Sequence, residues 1–247
     1  MQALSRYGYH IDIISCGNDL SDKKQAFESA LSKKSVAVFV DGTDFLEYNP
    51  VSNNYISQAA LNTPVFLLNA VIDAPGVYCA NYDIEKTIFS LTDSALKKDA
   101  HKPLFLFSSM STCQISMLNS FKMALELNRI ELRPEMTQLC PINTNSAKEY
   151  VTNIISEGYV PDYIITSDDR LLGIIYDIVK DAAASNKNDC QFVTCNISDI
   201  YEMFDADIYT IDCCNADICR HATSSFLKLT DGIVIPTKTV FPASVIH

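Results

Sequence analysis

Short uncharged runs of Val, Ile, Leu, Phe and Tyr alternate along the chain with longer stretches whose apolar residues recur every three or four positions. The short runs read as strands covered on both faces, and the longer stretches as helices that lay one stripe against a sheet. Met1 to Arg6 reads as the last turn of a helix stopped by Gly8, and His10 to Ser15 as the strand after it. A helix over Asp19 to Leu31 turns Leu20, Phe27, Ala30 and Leu31 inward, and Val36 to Val40 is the next strand. Asn54 to Leu61 is a short helix, Pro64 to Leu68 a strand ending at Asn69, and Val77 to Ala80 another strand. Ile84, Ile88, Leu91 and Ala95 mark a helix running to Lys98, ahead of the strand Leu104 to Phe107. A second set of units follows: a helix from Thr112 to Asn128 with Ile115, Leu118, Phe121 and Leu125 inward, a strand around Met136 to Leu139, and a helix carrying Ala147, Tyr150, Val151, Ile154 and Ile155. Beyond these come the strands Gln191 to Cys195 and Ile208 to Ile211, the helix stripe Ile218, Ala222, Ser225, Phe226 and Leu229, and the closing extended pieces Ile233 to Pro236 and Thr239 to Phe241. Strands alternating with helices in this way predict an α/β protein with parallel sheets, and this many units predicts two lobes.

One stretch concentrates the signals. After Pro161, Tyr163 to Thr166 is a strand without charge, and Leu171, Ile174, Ile175, Ile178 and Ala182 lie on one stripe of the helix that follows at once. Between them, Ser167 and Asp168 suit a helix N-cap, and Asp168 and Asp169 sit where free backbone N–H groups favour negative charge. In open α/β sheets, ligands bind beyond the carboxyl ends of the strands, which is where Ser167 to Asp169 fall. The same acids serve equally well as caps and nothing more, so the local pattern leaves both roles open.

Composition narrows the class. The 247 residues are 48% hydrophobic with only 7 Gly and 9 Pro, which describes a folded chain with a sizeable core. A net charge of −11 with scattered Lys and Arg makes the chain a poor binder of nucleic acid by itself. No apolar run approaches the roughly 18 to 20 residues that span a bilayer, and no signal-peptide pattern opens the chain, so a soluble cytoplasmic protein without membrane contact is expected. Nine cysteines, an odd number, suit a reducing compartment. Cys213, Cys214 and Cys219 beside His221 match no zinc spacing, and His10, His101, His221 and His247 form no ligand pattern, so neither metal nor cofactor is expected. An enzyme using Asp168 and Asp169 is disfavoured, since no second carboxylate cluster, Gly-rich phosphate loop or nucleophile–histidine pair accompanies them.

Several local segments occur in a recognisable order: Gly8-Tyr9-His10-Ile11, Ala100-His101-Lys102-Pro103-Leu104, Ser120-Phe121-Lys122-Met123-Ala124-Leu125, Ser167-Asp168-Asp169-Arg170-Leu171-Leu172-Gly173, Ile208-Tyr209-Thr210-Ile211, and Ile235-Pro236-Thr237 through Ala243-Ser244-Val245. Together they resemble the effector-binding domain of lactose and galactose repressor-type transcription regulators, which is related to periplasmic sugar-binding proteins. The resemblance covers nearly the whole chain. It implies a two-lobed periplasmic-binding-protein-like fold, each lobe a parallel sheet with helices on both faces, with a ligand cleft between the lobes. The lobes are expected at residues 1–102 plus 212–237 and at 103–211 plus 238–247.

Carried over by position, the family's sugar-contacting carboxylate falls on Asn69, its helix Arg on Met117, the Asn of its Asn-Asp pair on Asp168, and a ligand-contacting loop Asp on Asn196. Ser108, Ser109 and Asp44 are weaker candidates from other strand ends. Asn69, Asp168 and Asn196 still supply the planar amides and carboxylate that saccharide recognition uses, whereas Met117 cannot make forked hydrogen bonds. With that Arg absent and Asp168 set to repel an anion, the resemblance implies a small, neutral, sugar-like effector, or a cationic one, or a domain that has lost its ligand. It further implies a homodimer and DNA binding only through an N-terminal helix-turn-helix absent from this chain. A solute-binding protein of a sugar uptake system is the alternative, and it calls for an export signal that the sequence does not display. One further expectation concerns the first lobe: its central strand is missing before His10, so either residues are absent upstream or Val36 to Val40 pairs directly beside His10 to Ser15.

Overall fold

A computed structural model of the chain describes residues 2–17, 19–187, 189–196, 200–204, 208–213 and 215–246. In chain order the first elements are α1 (Gln2–Arg6), α2 (Leu20–Ser32), β1 (Val38–Asp41), α3 (Asn54–Ala60), β2 (Val65–Leu68), β3 (Val77–Tyr82), α4 (Ile84–Leu96) and β4 (Pro103–Phe107). They are followed by α5 (Thr112–Leu127), β5 (Thr137–Leu139), α6 (Ser146–Ser156), β6 (Tyr163–Thr166), α7 (Asp169–Ser185), β7 (Gln191–Cys195), β8 (Ile208–Asp212), α8 (Asn215–Thr230), β9 (Lys238–Phe241) and β10 (Ser244–Ile246). Two compact units result, one from residues 1–82, 111–113 and 214–241, the other from 83–110, 114–213 and 242–247.

The first unit is built on a four-stranded sheet in the order β1-β2-β3-β9, every pair parallel. Its two faces bury different sets of side chains. Val38, Val40, Val65 and Leu67 meet Phe27 of α2 and Ile56 of α3, while Phe66 packs with Ala222 and Phe226 of α8 and with Ile235. Burial on both faces is why β2 contains no polar residue. Lys238–Phe241, expected in the second lobe, instead joins β3, where the Cys79 amide donates to the Thr237 carbonyl at 2.8 Å. Ile233 to Pro236 belongs to no strand.

The expected strand His10 to Ser15 does not form. Residues 9–17 lie outside any strand, and among the described residues no backbone hydrogen bond joins residues 10–17 to β1. A strand needs a partner for its N–H and C=O groups, and composition alone provides none. Direct pairing of Val36 to Val40 with this segment is therefore not seen; β1 ends the sheet.

The second unit carries a six-stranded sheet in the order β10-β8-β7-β6-β4-β5, parallel except for the β10–β8 pair. β6 lies between β4 and β7 with all four residues buried, as its uncharged sequence predicts. Residues 83–102, expected in the first lobe, cluster here. The side-chain amide of Asn128, just past α5, donates to the Asp93 carboxylate of α4 at 2.9 Å and ties that helix to this unit. Entry into β4 is fixed by Asp162, whose carboxylate accepts from the amides of His101 (2.7 Å) and Lys102 (2.9 Å) while its own carbonyl accepts from Gln191 (2.9 Å). Asp162→Ala is expected to lower the unfolding free energy by about 2 kcal/mol, since it removes two bonds to a charged acceptor. Urea titration checks this; an unchanged midpoint would show that water replaces the carboxylate at no cost.

The buried face of α7 is Leu171, Leu172, Ile175, Tyr176, Val179 and Ala183, turned by about one residue from the expected stripe. Ile174, Ile178 and Ala182 are only half-buried. The periodicity was right and the phase was not, because Tyr176, an amphipathic residue, goes inward to pack on Phe192 and Phe204 at ring distances of 5.1 and 4.6 Å.

Candidate functional site

The carboxyl ends of the strands carry the polar residues of each unit. In the second unit they are organised by Gln114, the third residue of α5, which is 3% exposed. Its side-chain oxygen accepts from the amides of Ser108 (2.7 Å) and Ser109 (3.0 Å) and from the hydroxyl of Ser167 (2.9 Å), and its nitrogen donates to Ser108 Oγ at 2.8 Å. The end of β4 and the β6–α7 turn are thereby locked together. Ser108 and Ser109, both half-buried, belong to this network.

Asp168 caps α7, its carboxylate accepting from the Arg170 amide at 2.9 Å. The same carboxylate binds the Arg170 guanidinium through Nε at 2.9 and 3.1 Å and through a further short contact from Nη2. With Asp168 buried and the Arg170 side chain 41% exposed, the acid does not stand as a lone negative charge. The expectation that it repels anions is corrected on that ground: its charge is matched two residues away. Asp169 is fully buried and accepts from the Ile200 amide at 2.9 Å, holding the residues that follow β7. Asn196, half-buried, is anchored by its amide to the Ile211 carbonyl at 3.0 Å. The rest of its loop, residues 197–199, lies outside the described residues, as does Cys214. Met117 is 1% exposed, inside the packing of α5.

In the first unit, Asn69 follows β2 with φ of 59°, a left-handed conformation that Asn tolerates. Its backbone amide donates to the Ala80 carbonyl at 2.8 Å and its side-chain nitrogen to Asn215 Oδ1 at 2.9 Å. Its side-chain oxygen is buried and has no hydrogen-bond partner among the described residues. Such an acceptor costs about 1–3 kcal/mol unless something supplies a donor. Asp41 closes a turn at the end of β1 by accepting from the amide (3.1 Å) and hydroxyl (2.8 Å) of Thr43, and Asp44, half-buried, follows it.

Each sequence-predicted residue thus lies at a strand's carboxyl end or just past it, apart from Met117. Ser108, Ser109 and Asp168 belong to the second unit with Asn196, and Asn69 and Asp44 to the first. Sequence reading passed over Gln114, Arg170 and Asn215. The Asp-x-Arg spacing at 168–170 was the one local signal available, since residues two apart across a cap can pair. Gln114 gave none: Ser108 and Ser109 are six and five residues away across an irregular turn, and Ser167, which completes the network, is 53 residues away.

No family model matches the chain. An HTH-type transcriptional regulator of Lachnoclostridium phytofermentans is 26% identical over 238 residues, 96% of this chain and 72% of that protein. An arabinose metabolism transcriptional repressor of Halalkalibacterium halodurans is 24% identical over 181 residues, 72% of this chain and 48% of that protein. Among solved structures, the transcription regulator CcpA of Lactococcus lactis superposes with a TM-score of 0.78 at 15% identity, covering 100% of this chain and 89% of that one. A sugar-binding LacI-family regulator from Escherichia coli, solved with phosphate, gives 0.80 at 15%, covering 100% and 87%. The Cra regulator of Pseudomonas putida, solved with fructose 1-phosphate, gives 0.80 at 15%, covering 100% and 90%. The chain therefore has the periplasmic-binding-protein-like fold of the effector-binding domain of lactose/galactose repressor-type transcription regulators, the family that its sequence resembles.

Proposed function

We propose that the chain is the ligand-sensing part of a sugar-responsive transcription regulator and that its effector is neutral and sugar-like. Asn69, Asp168 and Asn196 are the residues assigned to contact it, with Ser108, Ser109 and Asp44 beside them. The observation that carries the neutral class is the Asp168–Arg170 pair. Its charge is already matched, each carboxylate oxygen taking two contacts from Arg170, so neither a phosphate nor an ammonium gains a free counter-charge there. The unsatisfied Asn69 oxygen is a waiting acceptor for a hydroxyl donor. DNA binding through a helix-turn-helix outside this chain, and pairing as a homodimer, complete the proposal; both rest on the resemblance and on the regulators to which the chain is similar.

The test is a thermal-shift panel of neutral pentoses, hexoses and disaccharides beside their phosphates. A neutral sugar is expected to raise the melting temperature, and Asn196→Ala to weaken its binding by about tenfold, the loss of one good polar contact. Stabilisation by sugar phosphates alone would overturn the neutral class, and a flat panel would overturn sensing altogether.

A further inference from the structure

A carboxylate offers about four acceptor positions, and at the start of α7 one neighbour takes them all. One oxygen of Asp168 accepts from the Arg170 amide and Nε, both at 2.9 Å, and the other from Nε at 3.1 Å and from Nη2. The Asp168 side chain is 3% exposed, so an approaching hydroxyl cannot donate to it without dislodging Arg170. The half of the pair that meets solvent is the arginine, whose side chain is 41% exposed. Its guanidinium carries five N–H donors in one plane, and Asp168 engages the edge made by Nε and Nη2. The turn beneath the pair is pinned on both sides. Ser167 donates to Gln114 at 2.9 Å, the Asp168 carbonyl accepts from the Leu171 amide at 3.1 Å, and the buried Asp169 accepts from the Ile200 amide at 2.9 Å. Asp168 is therefore fixed, and it fixes the orientation of Arg170 in turn.

We propose that Arg170 is the specificity-determining residue of this strand end: its guanidinium donates to two adjacent hydroxyl oxygens of a neutral sugar, and Asp168 is a positioning residue that acts through it. This rests on the reading of the chain as a sugar sensor and moves the contact assigned to Asp168 onto its partner. Asp168 then does two things. It holds a long side chain in one orientation before the sugar arrives, so little rotamer freedom is lost on binding. It also cancels the charge of the guanidinium. A carboxylate or phosphate gains less there than at a lone arginine, whereas a diol needs donors and no counter-charge.

Calorimetric titration of the 247-residue chain with D-glucose against D-glucuronate, and D-galactose against D-galacturonate, tests this, since each pair differs by one carboxylate. Asp168→Asn keeps an oxygen to cap the helix and removes the counter-charge. In that variant the uronate-to-hexose affinity ratio is expected to rise by about tenfold or more. Adding Arg170→Gln to it leaves no buried charge unpaired, and is expected to return the ratio to its wild-type value and to weaken hexose binding by about tenfold. A merely structural cap would move both sugars of a pair together. A ratio that stays fixed in Asp168→Asn overturns the proposal, whichever neutral sugar the wild-type chain prefers, and leaves the sensor reading standing. So does a raised ratio that survives Arg170→Gln. A wild-type chain that answers to no neutral sugar at all overturns the sensor reading and the proposal with it.

Discussion

Replacing Gln114 by Leu is expected to lower the unfolding free energy by about 3 kcal/mol, although the two side chains are close in volume. Leu fills the space but accepts and donates nothing. The amides of Ser108 and Ser109 and the hydroxyl of Ser167 would lose the acceptor they share, and Ser108 Oγ its donor. Each stranded group costs about 1–3 kcal/mol when buried. The sum is discounted because Ser108 and Ser109 are half-exposed and the Ser108 amide keeps a second acceptor in Ser167 Oγ at 3.2 Å. Gln114→Glu retains the acceptor and removes only the donor, so a loss nearer 1 kcal/mol is expected. Urea denaturation of both variants measures the difference. Equal losses would show that packing, not the amide's hydrogen bonds, holds the end of β4.

Gly76→Ala is expected to cost about 3 kcal/mol or more, from two sources that a second glycine separates. Gly76 follows Pro75 in a turn closed by the Val77 amide donating to the Ala74 carbonyl at 3.2 Å, and its φ is 77°. A Cβ there would sit 2.1 Å from the Ala60 carbonyl oxygen at the end of α3, which cannot yield without moving the helix. Gly158 has φ of 91° and nothing within 4 Å of an added Cβ. Gly158→Ala should therefore show the conformational cost alone, about 1–2 kcal/mol. Calorimetric melting of the pair gives the comparison; matching shifts would mean that α3 gives way freely.

The candidate site was legible where chemistry is local. Asp168 as the cap of α7 follows from a contact two residues long, and the strand ending at Asn69 and the β6 strand from their unbroken uncharged runs, and each is found. What Asp168 presents to a ligand was not legible in the same way. Read singly it is an anion at a helix start; its actual state depends on the rotamer by which Arg170 folds back on it. Gln114 was invisible because its role exists only once β4, α5 and the β6–α7 turn have come together.

Sequence alone determined that this is an α/β chain of parallel sheets, since the period of its apolar residues is a property of each segment by itself. It also determined that β2 and β6 are covered on both faces, because neither contains a charged residue. Only the tertiary structure decided that His10 to Ser15 lies unpaired despite its strand composition, that Lys238–Phe241 joins the first sheet, and that residues 83–102 belong with the second unit. The physical reason is common to all three. A strand's stability resides in backbone bonds to a neighbour and a helix's in the surface it covers, and neither the neighbour nor the surface is written in the segment that needs it.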